Sequence, residues 1–199
     1  MSKVVVDIAA SLDGFVAGPN QSADAPLGEG AETVLHQWMF DAAQENAPER
    51  AAITDAGAFV MGRNMFGPGR GEWDLTWQGW WGDEPPYHAP VFVLTHYERP
   101  PLEMAGGTTF HFVTGGITEA LKLAREAAGN RNVSVAGGAA TVNQFLAAGL
   151  VDELRLHVAP VLLGEGERLF DGAGKTRLTQ LEARQTSLVT HLRYAIRLG

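Results

Sequence analysis

Three places in this sequence end an apolar strand on glycine or a small polar residue, and each adds a group that suits an anion. Val60-Met-Gly-Arg-Asn-Met-Phe66 ends a strand at Gly62 and opens a short helix on Arg63 and Asn64. A guanidinium there stands beside free backbone N–H groups. Val93-Leu-Thr-His-Tyr-Glu-Arg99 carries Leu94, Thr95, His96 and Arg99 at a second strand end. Val133-Ser-Val-Ala-Gly-Gly-Ala-Ala-Thr141 runs through Gly137-Gly138 into a helix, whose unpaired N–H groups and positive dipole end suit a pyrophosphate. Each has a plain alternative: paired glycines permit a tight turn, and a lone arginine ordinarily meets a carboxylate. The conjunction of Gly62, Thr95 and Gly137 implies one extended anionic ligand across the carboxyl edge of a sheet. The glycine turn is not GxGxxG, and it lacks the acidic residue about 20 positions on that a classical dinucleotide site uses.

A second face begins at Ala9-Ala-Ser-Leu-Asp-Gly14, where Asp13 follows a buried strand and reaches the sheet's edge, or simply forms an Asp-Gly turn. Asp41 points inward as a substrate carboxylate or is a solvated helical acid. Four of the five tryptophans lie between Trp73 and Trp81, where capping the core or a subunit contact is favoured over stacking a planar heterocycle. The histidines show no metal spacing and there is no cysteine, so no metal site is expected. Ser11 lacks the GxSxG context of a serine hydrolase.

The elements that must carry these groups alternate. Strands are predicted over Lys3–Ala10, Ala58–Met61, Val91–Thr95, Thr109–Val113, Asn132–Ala136 and Glu153–Val158, then Leu178–Thr186 and Leu188–Leu198. Helices are predicted over Glu32–Gln44, Pro48–Asp55, Thr118–Ala128 with Thr118 as N-cap, and from Gly138 to Gly149. Ser11–Ala31 and Phe66–Ala89 read as long loops. The order predicts a single α/β domain over residues 1–199: a mixed, mostly parallel central sheet flanked by helices, with antiparallel strands added at the carboxyl end. In the final strand Leu192, Tyr194, Ile196 and Leu198 alternate with His191, Arg193, Ala195 and Arg197.

With 199 residues, 45% of them apolar and 19% charged, the chain has the composition of a soluble globular protein. A formal charge of −8 excludes a broadly basic face and disfavours non-specific nucleic-acid binding. No apolar run approaches the ~20 residues of a membrane span, and Met1-Ser2-Lys3 does not resemble a signal peptide. The expected compartment is the cytoplasm.

Six short motifs, in order and nearly end to end, resemble the dihydrofolate-reductase-like family, specifically the reductase domain of bifunctional riboflavin-biosynthesis proteins and its stand-alone relatives. They are Ala10-Ser-Leu-Asp-Gly14, Met61-Gly-Arg63, Val93-Leu-Thr95, Val135-Ala-Gly-Gly138, Phe145 to Glu153, and Ala159-Pro-Val-Leu-Leu-Gly164. The resemblance implies a three-layer fold and NADPH lying across the strand ends. Gly62, Arg63 and Asn64 would meet phosphate groups, and Leu94, Thr95 and His96 the adenosine 2′-phosphate side. Gly137, Gly138, Ala139 and Thr141 would hold the pyrophosphate, while Ala9, Ala10, Asp13 and Gly14 would border the nicotinamide and substrate. It departs from the family in showing no basic cluster near Ser11–Ala31 to grip a ribose phosphate.

The implied activity is an NADPH-dependent reductase that delivers hydride to a C=N or C=O bond of a small planar heterocycle. It would be of the riboflavin-pathway phosphoribosylaminouracil reductase type or of the dihydrofolate reductase type. Ser11, Gly14, Trp38, Asp41 and Phe170 would line the substrate, with Asp13 the first choice of proton donor. The alternative is a non-catalytic nucleotide-binding or protein-interaction module. A homodimer through the carboxyl-terminal strands is expected; the alternative is a monomer whose edge Pro160 and charges protect.

Overall fold

The structure is a computed structural model that describes residues 2–31 and 33–197. Glu32 and Leu198, which end two of the predicted elements, lie outside the described residues. The strands are β1 (Val4–Ser11), β2 (Phe15–Ala17), β3 (Ala58–Gly62), β4 (Pro90–Leu94), β5 (Leu102–Glu103), β6 (Thr109–Val113), β7 (Val133–Gly137), β8 (Glu153–Ala159), β9 (Glu167–Arg168), β10 (Arg177–Gln185) and β11 (Thr190–Arg197). The helices are α1 (Gln37–Phe40), α2 (Ala47–Thr54), α3 (Arg63–Phe66), α4 (Gly116–Ala128) and α5 (Ala139–Ala147).

Every residue of β1 is buried, as its β-branched run requires, and it lies inside a nine-stranded sheet ordered β10-β11-β8-β1-β7-β3-β4-β6-β5. The strands from β8 through β6 in that order pair in parallel. β11 pairs antiparallel to β8 and β10 to β11, which is the expected mixed sheet. β2, inside the segment that reads as a long loop, pairs with β9 as a separate two-stranded ribbon.

The two sheet faces bury different layers. Val4, Val6, Ile8 and Ala10 pack with α4 and α5 through Ala120, Leu121, Val142 and Phe145. On the other face Phe59, Met61, Val91, Val93 and Phe110 are capped by Trp73, Trp77 and Trp81. The tryptophan segment is therefore a core cap, fixed by Trp73 Nε1 donating to the Tyr97 carbonyl and Trp77 Nε1 to that of Phe66, each at 2.9 Å. Among the described residues no helix is long and apolar enough to cross a membrane.

Three local expectations change. The predicted helix over Glu32–Gln44 shrinks to α1, because the Trp38 carbonyl accepts the Asn46 side-chain amide at 3.2 Å instead of continuing a helical ladder. Thr118 is not the N-cap of α4, which begins two residues earlier behind Gly115 without a side-chain cap. The final strand is internal and β10 takes the edge, so Pro160, which follows the internal β8, shields no edge. On β11 Tyr194 and Ile196 pack half-buried against the core, as the alternation predicts, while on the other side His191 is buried rather than exposed.

Candidate functional site

The ends of β7, β3 and β4 lie side by side, with Met61 opposite Gly137 and Gly62 opposite Leu94. A Cβ atom on Gly62 would stand 2.6 Å from Thr141 Oγ1 and 3.7 Å from the Gly138 nitrogen, so any larger residue here must displace the threonine side chain. Gly137 has φ of 130°, a region L side chains rarely adopt, and a cis peptide joins it to Gly138. Gly138 caps α5. A Cβ there would meet nothing within 4 Å. The first turn of α5, with Ala139 and Thr141 buried behind it, thus opens onto free space with its N–H groups forward. Leu94 packs partly buried against the core. Thr95 is buried, its hydroxyl accepting the Tyr97 N–H at 3.1 Å, and His96 is exposed.

Arg63 opens α3 as expected, but its side chain turns toward the tryptophan segment. It donates to the carbonyls of Gly71 and Glu72 and lies 3.9 Å from the Trp73 ring centroid. Arg99, 8% exposed, comes to the same ring from 5.4 Å and donates to the Trp77 carbonyl at 2.6 Å. Neither guanidinium meets a carboxylate within ion-pair distance among the described residues, and Arg63 Nε and Arg99 Nη1 are buried without partners. Asn64 is exposed and accepts from Arg70.

At the end of β1, on the α5 face, an open cavity of about 740 Å³ brings together Ala10, Ser11, Asp13, Gly14 and Phe170. The Asp13 carboxylate accepts the Ser11 hydroxyl at 2.6 Å and the N–H groups of Leu163 and Gly164 at 3.1 and 2.7 Å. The Ser11 hydroxyl bond, with the two backbone donors, holds Asp13 at about 2. It carries no proton at neutral pH. The carboxylate expected to serve as proton donor thus also clasps two segments about 150 residues apart. Phe170 adopts φ of 68° and is 44% exposed at the rim; its N–H donates to Asn143 Oδ1 at 2.8 Å, tying the cavity to α5.

Two expected substrate residues do not join this cavity. Trp38 is 1% exposed and lies against His157 and His191, with ring centroids 4.8 and 5.0 Å away, so it is a core residue. Asp41 is exposed and accepts from Gln37 Nε2 at 3.0 Å. Sequence reasoning missed Arg168, which lines the cavity with its guanidinium 5.1 Å from the Phe15 ring, and Leu156, Val158 and Leu192, which form its floor. The signal for these three lay in the alternation of the carboxyl-terminal strands.

A mixed, mostly parallel sheet flanked by helices, with glycines at adjacent strand ends, makes this an α/β domain. The chain belongs to the RibD C-terminal domain family, whose pattern matches residues 2–192. It is 26% identical over 180 residues to the uncharacterized protein YyaP of Bacillus subtilis (strain 168), covering 84% of this chain and 80% of that one. A protein from Shewanella sp. PV-4 provisionally assigned to riboflavin biosynthesis superposes with a TM-score of 0.70 at 21% identity, over 98% of this chain and 99% of that one. The riboflavin biosynthesis reductase Rib7 of Saccharomyces gives 0.54 at 16% identity, over 98% and 89%. At these identities the solved structures share the fold.

Proposed function

We propose that this protein is an NADPH-dependent oxidoreductase that reduces a C=N or C=O bond in a small planar heterocycle. The observation that carries the reading is the open N-terminus of α5 at Gly138, set against the side-chain-free Gly62. A phosphate needs close backbone approach and unpaired N–H donors, and a Cβ at Gly138 would fill that approach. The residues present thus fit a dinucleotide pyrophosphate, which Gly62, Gly137, Gly138, Ala139 and Thr141 would hold. Leu94, Thr95, His96 and Asn64 flank its far side, with Arg63 one layer back against Trp73. The nicotinamide, when bound, supplies the hydride. The chain's part is to seat the substrate in the cavity beside Ala10, Ser11 and Gly14, to keep water from it, and to fix the wall with the Asp13 clasp. The riboflavin-biosynthesis reductases among its relatives support the same class of reaction.

The test is equilibrium binding of NADPH, followed by NADPH consumption with dihydrofolate, ribityl-aminopyrimidinones and simple ketones. Binding with turnover of one class is expected. Absence of NADPH binding would leave a module without redox chemistry.

A second copy is proposed to cover the half-buried face of Leu156, Val158, Leu192, Tyr194 and Ile196, which continues from the cavity floor along β11, beside the edge strand β10. A soluble chain rarely leaves such a surface in water, and an isologous contact closes it without building a fibre.

A further inference from the structure

Between β1, β8, β11 and the start of α2 a chain of hydrogen bonds crosses the interior, outside the proposed cofactor and substrate sites. Asp7 Oδ1 lies 2.8 Å from His157 Nε2, His157 Nδ1 lies 2.7 Å from His191 Nδ1, and His191 Nε2 lies 2.7 Å from Asn46 Oδ1. Asp7, Asn46 and both imidazoles are buried. Each of the three contacts needs one hydrogen. The Asn46 end must accept, because its Nδ2 donates to the carbonyls of Trp38 and Ala42 at 3.2 and 2.8 Å, and a flipped amide would set oxygen against oxygen. The Asp7 end, when ionised, also accepts. Two neutral imidazoles offer one N–H each, which leaves one contact without a hydrogen.

We propose that Asp7, His157 and His191 form a buried proton-binding site that holds one proton more than an ionised aspartate and two neutral histidines. His157 carries it, donating to Asp7 on one side and to the lone pair of His191 on the other. His191 stays neutral and donates through Nε2 to Asn46.

The surroundings agree with that placement. Burial is the main cause that holds His191 at about 4 and His36 likewise at about 4, so neither ring competes for the proton. Arg155 Nη1 faces the second oxygen of Asp7 at 3.5 Å, which favours the carboxylate as the anion. Arg155 and Arg193 are shared with Glu153, and Arg193 also with Glu182. From α2, Glu49 faces His191 at 4.0 Å but is engaged by Arg184, which also reaches the Glu45 carbonyl. A cavity of about 320 Å³ lined by Asp7, His157, His191, Glu49 and Glu182 gives the proton a path to solvent. Because Asn46 also grips the Trp38 carbonyl, the proton ties the Trp38–Asn46 segment to the carboxyl-terminal strands.

Long-range ¹H–¹⁵N spectra of the whole protein at about pH 7.5, a unit above the ordinary imidazole value, test this directly. The expected result is a His157 ring protonated at both nitrogens and a His191 ring protonated at Nε2 alone. Two singly protonated rings would overturn the proposal. Unfolding in urea from about pH 7 to 9 gives an independent readout, since one extra proton bound by the folded state raises the unfolding constant about tenfold per pH unit up to the pH where that proton leaves. A pH-independent unfolding constant across that range would also overturn it. Neither measurement depends on NADPH binding, so the outcome stands apart from that of the proposed reductase.

Discussion

Gly62 and Thr141 meet where two strand ends and a helix converge: a Cβ atom on the glycine would lie 2.6 Å from the threonine hydroxyl oxygen. Gly62→Ala is expected to cost about 1–3 kcal/mol as overpacking. Adding Thr141→Ala, which removes that oxygen, should restore part of the loss. Urea melts of the two variants check it; a Gly62→Ala protein as stable as wild type would show that the strand ends can separate freely.

Gly138→Val makes the opposite separation. Its side chain would enter open space, with φ of −72° that any residue adopts. The variant should fold normally and lose at least about tenfold in NADPH affinity, about 1.4 kcal/mol. Unchanged affinity would make the paired glycines purely architectural.

Arg63→Ala removes two carbonyl contacts and the stacking on Trp73. A lower melting temperature is expected, by an equivalent of about 1–3 kcal/mol. If Arg63 also serves the 2′-phosphate, the Kd for NADPH rises about tenfold or more while that for NADH changes less. Equal losses for both cofactors would assign the effect to the collapse of the Gly71–Trp73 turn.

Asp13 titrates at about 2, below its ordinary value of 3.8, because Ser11 and two backbone N–H groups hold the charged form. A depressed carboxylate adds stability above its unfolded value that disappears as pH falls through the folded one. Acid unfolding of Asp13→Asn should therefore be flatter than that of wild type between about pH 4 and 2. Parallel curves would mean that the clasp on Leu163 and Gly164 contributes nothing.

Light scattering at micromolar concentration reads the proposed dimer. A mass about twice 21.3 kDa is expected; a mass near the single-chain value rejects the contact across Leu192, Tyr194 and Ile196.

The parallel strands β1, β3, β4, β6 and β7 were legible as short apolar runs rich in β-branched or aromatic residues, whereas the two-residue β5 was not; the grouping of Gly62, Thr95 and Gly137 followed from their shared place at strand ends. The first helix was not. Leu35 and Trp38 are buried as helical spacing demands, yet side-chain bonds from Asn46 replace the ladder, and no local pattern announces them. Trp38 and Asp41 lay on that misread segment, so their expected place in the site failed with it. The histidine chain was invisible for another reason: His157 is 34 residues from His191 and 150 from Asp7. Its one sequence trace is Asp7 itself, a carboxylate inside an otherwise apolar strand.

The position of β1 has a consequence for how the protein is made. β1 is made before its partners and rests between β7 and β8, whose pairing begins at Val133 and Glu153. At roughly 5–20 residues per second, those neighbours reach it on the order of ten seconds later. Until then Val4-Val-Val-Asp-Ile-Ala-Ala-Ser11 is an unpaired apolar strand on a nascent chain, the kind of segment that seeks its own copies. Asp7 interrupts it with a charge that resists such pairing in the open chain. In the finished sheet His157 Nε2 and Arg155 Nη1 meet that carboxylate at 2.8 and 3.5 Å, so the residue that resists self-association in the open chain becomes an anchor between β1 and β8.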